Sequence, residues 1–546
     1  MLMYLEVKLS NPITLTSNSR IGRISAEADE EFLFECFVDS PALAEFKLND
    51  SPKMLLLGST GAGKTAIIRK IQQESSSANL VQLDEVALGY LGNSDVINFL
   101  ISLDINLDLF FQALWKHVIL IDFIRIKFKV DNEEKSRFIF SQMFAAFSRD
   151  QRKSRGLEYL RKWESKFWIS MDENIREITQ NLENNVSAEL GGEIEKFKAR
   201  AGFIRSLSTE KRTQLQRVAR RFVSPELLSD LSKVTDALAE HVTRAEPNFV
   251  LIDQLDENWV DPSIKYPLIR ALIESLKSLR RVKDLKVVVA LRSDLLEKVI
   301  LETKNAGFQS EKYEDYIVRV RWDAKQLKNL VNKRINYLFK RKYSQENITF
   351  EDIFSEKVSN TGSPFNAILE RTLYRPRDVI NFVNMCLEAS EGKTSVSRRD
   401  FSLAERNYSA NRLTAMIEEW QNVISKADAI INMLKGKREV FEIAQFCTSD
   451  LLEELVHHFP QDSQSRPDEL WQLVEEAMSR NVEPFELACT LFARLHLMGA
   501  VGVKYDPSLP YQFFFQTQKP LPTMHLDPST KVRIHPMLHS ALGVIK

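Results

Sequence analysis

Cysteine is scarce: Cys36, Cys386, Cys447 and Cys489 are the only 4 in 546 residues, far apart and without a CxxC pair. That argues against a disulfide framework and a paired-cysteine zinc site, and it fits a reducing compartment. A charge excess is lacking too. Lys+Arg 74 against Asp+Glu 75 leaves a net charge of −1, which excludes a globally basic nucleic-acid coat or an acidic tail protein. The most apolar run, 117–125, is broken by Asp122 and Arg125, well short of the ~20 residues that span a bilayer. The start, Met1-Leu-Met-Tyr-Leu-Glu-Val-Lys8, lacks the basic and apolar regions of a signal peptide. We therefore expect a cytoplasmic protein with no membrane contact. With 44% hydrophobic residues the chain can bury several cores.

The strongest positive signal is Lys53-Met-Leu-Leu-Leu-Gly58-Ser59-Thr60-Gly61-Ala62-Gly63-Lys64-Thr65-Ala-Ile-Ile68. A short apolar run, a glycine-rich turn and a helical pattern follow one another, with GxxxxGK[ST] at the junction. Gly58, Gly61 and Gly63 allow the backbone N–H groups of 58–65 to converge on phosphate oxygens at a helix start. Lys64 is expected on the β- and γ-phosphates, and the Thr65 hydroxyl on Mg²⁺.

A second apolar run, Asn248-Phe-Val-Leu-Ile-Asp253, ends in carboxylates and continues Gln254-Leu-Asp256-Glu257. Asp253 is placed to hold Mg²⁺. The residue after the metal carboxylate is commonly Glu in ATPases, but here it is Gln254. The water-activating role thus moves to Asp256 or Glu257. A third run, Leu285–Leu291, leads into Arg292-Ser293-Asp294. Arg292 or Ser293 could sense a γ-phosphate, or Arg292 could pair with Asp294 at a helix start. There is no Asn-Lys-x-Asp guanine-reading pattern, so ATP is favoured over GTP.

Strands are expected at 54–57, 79–84, 248–253, 285–291 and 316–321, alternating with helices as in a parallel α/β sheet. The organisation read from the pattern is a lead-in and first core segment (1–89), a helical insertion (90–245), a second core segment (246–323), a helical lid (324–409) and a winged-helix-like domain (410–546). The last is expected to hold helices near 411–434, 440–458, 466–479 and 484–498, then strands at 499–504 and 511–516. Nine basic residues and a single acid, Glu210, fall within 196–221. They make either a face for nucleic acid or a solvated helix answered by acids at 172–195. Arg377 follows Pro376 at a helix start, where an arginine of a lid could reach the phosphates. Arg319 and Arg321 are candidates for acting on a neighbouring subunit. His535 and His539 are four apart without a companion ligand set, which suits packing better than metal.

GSTGAGKT at 58–65, VLIDQLDE at 250–257, VVVALRSDLL at 287–296 and RPRDVINFVN at 375–384 resemble the AAA+-like bacterial P-loop ATPases close to the KAP and STAND NTPases. Ile21-Gly-Arg-Ile-Ser-Ala-Glu-Ala-Asp29 and Ile534-His-Pro-Met-Leu-His-Ser-Ala-Leu-Gly543 are similar to the two ends of one such family. The resemblance implies Lys64 and Thr65 on phosphate and Mg²⁺, Asp253 on Mg²⁺, Asp256 or Glu257 near the attacking water, and Arg377 as the lid arginine. It also implies a regulatory switch; Gln254, where KAP relatives often have a second Asp, fits a slow or trigger-dependent ATPase, and we expect the chain to form homo-oligomers. Such switches are often found in anti-phage defence or DNA-associated systems, and any effector is expected to be a separate protein. A DNA-binding, initiator-like or loader-like ATPase is the other class the same features admit.

Overall fold

The computed structural model describes residues 13–16, 18–48, 50–83, 107–130, 151–164, 225–239, 247–257, 259–260, 262–303, 310–340, 347–354, 362–421, 423–448, 450–458, 469–479, 482–506, 508–517 and 519–546. They form two compact units. One comprises 39–58 and 64–320; the other comprises 1–38, 59–63 and 321–546.

The first unit is built on five parallel strands: β1 (Leu55–Gly58), β2 (Ala78–Leu80), β3 (Asn248–Ile252), β4 (Leu285–Arg292) and β5 (Ile317–Arg319), in the order β2-β3-β4-β1-β5. β4 lies between β1 and β3, with Leu55 opposite Val289 and Val250 opposite Val287. The apolar runs are buried along nearly their whole length, as strands covered on both faces must be. Helices α1 (Lys64–Glu74), α2 (Asp108–Phe128), α3 (Gln151–Trp163), α4 (Pro225–Ala239), α5 (Pro262–Leu279) and α6 (Ser293–Glu302) accompany the sheet.

α2 buries residues all round, from Phe110 to Ile124, because it lies against α5 and β3. The Trp115 indole donates to the Leu268 carbonyl at 2.9 Å, and Arg270 pairs with Asp108. The helices described between β2 and β3 thus share one hydrophobic core with the sheet. The basic stretch 196–221 and its acidic neighbours at 172–195 lie outside the described residues.

The second unit holds α7 (Ala324–Lys340), α8 (Pro376–Ala389), α9 (Arg398–Trp420), α10 (Asp450–His457), α11 (Glu469–Ser479) and α12 (Pro484–Met498). A three-stranded antiparallel sheet joins β6 (Val440–Glu442), β7 (Val501–Lys504) and β8 (Lys531–Ile534) in the order β6-β8-β7. α9 runs unbroken through residue 410, where the sequence pattern suggested a boundary, and a single core extends across both sides of it. The lead-in is clamped onto α7 and α8. Asn384 accepts from the Ile21 N–H at 2.8 Å and donates to the Gly22 carbonyl at 2.9 Å, while Arg334 pairs with Asp29 at 2.7 Å.

Two expectations in this unit are corrected. Residues 440–442 are a strand, not the start of a helix, because Phe441 sits opposite Val532 in the pairing with β8. Residues 511–516 give one bridge at Gln512 and then a short helix, Phe514–Thr517. Phe513 and Phe515 pack their rings on His535, and the strand role falls to Lys531–Ile534.

Candidate nucleotide site

β1 ends at Gly58 and α1 begins at Lys64, so the glycine-rich turn occupies 59–63. Gly61 and Gly63 have φ of +76° and +95°, backbone that favours residues without a side chain. On the sheet side, the Lys64 ammonium donates to the Gly58 carbonyl at 2.9 Å. Burial pulls its pKa down to about 8, against the opposing pull of Asp253, Asp256 and Asp294.

Asp253 leaves the tip of β3 and accepts from the Thr65 hydroxyl and, at 2.9 Å, from the Gln254 N–H. Burial holds its carboxyl above the usual range, partly countered by those two hydrogen bonds. Gln254 carries φ of 63°. This left-handed turn reverses the chain immediately after the carboxylate, at a steric cost for a residue with a Cβ.

The turn then presents Asp256 and Glu257. Lys265 of α5, a buried lysine, donates to both of their carbonyls, at 2.6 and 2.8 Å. The Asp256 carboxylate accepts from Arg292 Nη1 at 3.0 Å. Arg292 Nε and Nη2 fork onto Asp294 at 3.0 and 2.7 Å. Of the two readings of Arg292, this arrangement has the pair with Asp294, and it adds Asp256. Ser293 Oγ is buried without a hydrogen-bond partner. Lys64, Thr65, Asp253, Asp256 and Arg292 therefore form one cluster.

Around the loop itself, within the second unit, three carbonyls in succession have donors. Arg375 Nη1 donates to Thr60 O at 2.7 Å, the Arg377 N–H to Gly61 O at 3.3 Å and Trp322 Nε1 to Ala62 O at 2.8 Å. The Arg377 side chain lies directly over Gly61, where an added Cβ would approach Arg377 Cβ to 2.6 Å. Its Nε donates to the Ile24 carbonyl at 3.3 Å. Burial pulls the Arg377 pKa down.

Arg375 also meets Asp378 at 3.2 Å and Glu419 at 3.4 Å, and Arg412 lies 3.7 Å from Asp378. Burial pushes the Asp378 carboxyl up, but Arg412 and Arg375 outweigh it and leave it below its ordinary value. Sequence reasoning singled out Arg377 and passed over Arg375, Trp322 and Lys265. Each of the three donates to a backbone carbonyl, and a donor to a carbonyl has no characteristic spacing.

The remaining candidates are engaged elsewhere. Arg319 forks onto Glu314 at 2.7 and 2.8 Å, and Arg321 donates to Thr517 O at 3.4 Å. His535 accepts from the Met537 N–H at 3.2 Å, and His539 Nε2 lies 3.1 Å from Ile534 O.

The fold and site define a class of architecture: a parallel α/β sheet in which the strand next to the central one runs into a glycine-rich phosphate-loop motif, in a chain that also holds a helical unit. A family model described as the FunZ-associated C-terminal helical domain matches residues 325–417, from α7 through most of α9. The "Putative transposon gamma-delta 80.3 kDa protein" of Escherichia coli (strain K12) is 22% identical over 211 residues, 38% of this chain and 30% of that relative. The match thus spans less than a third of that protein. "Allergen Alt a 2" of Alternaria alternata is 24% identical over 129 residues, 23% of this chain and 67% of the relative. Among solved structures, a Walker-type ATPase of Pyrococcus abyssi aligns over 97% of this chain and 99% of its own, with TM-score 0.36 and 12% identity.

Proposed function

We propose that this chain binds and hydrolyses ATP at the 58–65 loop. The observation that carries the reading is the cluster of Lys64, Thr65, Asp253, Asp256 and Arg292 at the ends of β1, β3 and β4. A parallel sheet gathers strand ends at one edge, and ligands bind there.

The donor set suits Mg²⁺, since a hydroxyl and a carboxylate already meet at Thr65 and Asp253, and hard cations take oxygen ligands. Bound there, the ion would neutralise phosphate charge during transfer. Lys64 and the loop N–H groups bind and orient the phosphates. Asp256 or Glu257 accepts the proton of the attacking water as its oxygen bonds to phosphorus and the bond to the leaving diphosphate breaks. Lys265 fixes the turn that carries both carboxylates, and Arg292 bridges Asp256 and Asp294. With Gln254 where a base is common, turnover is slow or trigger-dependent.

The finer reading is an oligomerising switch that controls a separate effector, in the manner of the anti-phage ATPases the sequence resembles. The order helix, β6, α10, α11, α12, β7, β8, with β8 between its two partners, supports a winged-helix-like C-terminal domain. The helix that would enter a DNA groove is unsuited to it. In α12 only Glu486 is exposed, Glu483 precedes it, and Arg494 is held by Glu469 at 2.7 Å. A protein-contacting wing fits better, and a DNA-acting ATPase is the second reading, favoured by the word "transposon" in the name of one relative.

ATP turnover and particle mass, measured for the wild type and Lys64→Ala with and without double-stranded DNA, test all of this. Turnover and ATP-dependent assembly that vanish in Lys64→Ala support the switch. DNA-stimulated turnover with strong salt dependence would promote the second reading. A wild type that neither binds nor hydrolyses ATP would end both.

A further inference from the structure

The capped loop carbonyls have a consequence for the N–H groups beside them. A peptide unit is planar, and its C=O and N–H point in opposite directions. The Thr60 carbonyl shares its plane with the Gly61 N–H, and the Ala62 carbonyl with the Gly63 N–H. Arg375 holds the first carbonyl at 2.7 Å and Trp322 the second at 2.8 Å. The Ala62 N–H between them donates to Ser59 O at 3.2 Å and closes the turn. Each donor therefore fixes the direction of one glycine N–H, and the two glycines are the ones with positive φ.

Arg375 is unsuited to bind phosphate by its charge. It is 5% exposed, and Asp378 and Glu419 stand beside it at 3.2 and 3.4 Å. Arg412 completes a buried set of two cations and two anions. What Arg375 supplies is a fixed donor. Trp322 supplies another, with its ring edge 3.9 Å from where a Gly63 Cβ would lie. Thr60 Oγ1 is buried in the same loop without a hydrogen-bond partner, and a phosphate oxygen would satisfy it.

We propose that Trp322 and Arg375 are positioning residues of the phosphate loop, which hold the Gly61 and Gly63 N–H groups in the anion-accepting direction before nucleotide arrives. The inference rests on reading 58–65 as a phosphate site. Without these donors the two peptide units are free to rotate, and binding has to select the right loop conformation.

The test is calorimetric titration of the full chain with Mg–ADP, using wild type, Trp322→Phe, Arg375→Gln, Arg375→Lys and Lys64→Ala. Trp322→Phe removes one neutral donor and keeps a ring. Its Kd should rise about five- to tenfold, with an unchanged melting temperature in the absence of nucleotide. The wild type should show an ADP-induced change in tryptophan emission, and Trp322→Phe should lose it. Arg375→Gln should weaken ADP binding in the same direction and Arg375→Lys should restore part of it. If the arginine variants do not fold, Trp322→Phe decides alone.

Wild-type affinity and emission change in Trp322→Phe, beside lost binding in Lys64→Ala, overturn the inference and leave the ATPase reading standing. If the wild type binds no ADP, both fall.

Discussion

Lys64 is a half-buried cation whose proposed partner is a phosphate. Burial lowers its pKa to about 8, from an ordinary value near 10.5. An anion at the loop restores the charged form, so binding should take up a proton between about pH 8 and 10.5. Titrating Mg–ADP at pH 8.5 in buffers of different ionisation enthalpy should show net uptake from this group. Affinity should fall as pH rises through this range. Identical heats across buffers at pH 8.5 would contradict the assignment of Lys64 to phosphate.

The glycine spacing made this site legible in the sequence, because phosphate binding requires a particular backbone and few residue types provide it. Gln254 was legible only as a departure from the common pattern. That it occupies a left-handed turn after Asp253 depends on backbone geometry, which residue identity alone does not reveal for glutamine.

At the scale of elements, the buried strands announced themselves, since a strand covered on both faces must be continuously apolar. β6 did not. It is three residues long, and its partner β8 lies some ninety residues onward, so local pattern had nothing to read. Helix α9 is the converse case, an element that crosses an expected domain boundary. Ala410 is exposed on it, so a substitution there tests the backbone rather than packing. Were 409–410 a linker, Ala410→Pro would be tolerated. In a helix interior it should cost about 3 kcal/mol or more. Urea unfolding of the variant, with Ala410→Ser as a mild control, reads the difference. A cost under about 0.5 kcal/mol would restore the boundary.

For the molecule as a whole, the buried histidines among the described residues set an acid limit, and burial lowers His117, His496, His535 and His539 alike. His117 and His535 are pulled down to about 3 by burial, and His496 to about 4. In the unfolded chain they titrate near 6.5. Below that value the unfolded state takes up protons that the folded state refuses, so stability present above pH 6.5 is lost as pH falls towards 4. Each histidine can cost up to about 1.4 kcal/mol per pH unit. Burial raises Asp122, Asp253 and Glu297, which act in the opposite sense. The difference between wild type and His535→Asn isolates the histidine contribution. Denaturant midpoints from pH 7.5 to 5 should fall less steeply in the variant, and equal slopes would refute the account.

Residues 59–63 belong by packing with 321–546, while the strand and helix that flank them belong with the sheet. Anyone trimming this protein to a minimal fragment around the glycine-rich loop meets a trap here. A piece ending at residue 320 would keep the whole phosphate-loop signature, both acidic strand tips and the complete five-stranded sheet. It would also lose Trp322, Arg375 and Arg377, leaving the carbonyls of Thr60, Gly61 and Ala62 to water. Such a fragment would be recognised by any reader of its letters as a nucleotide binder, yet its loop would have to find its shape anew at each encounter.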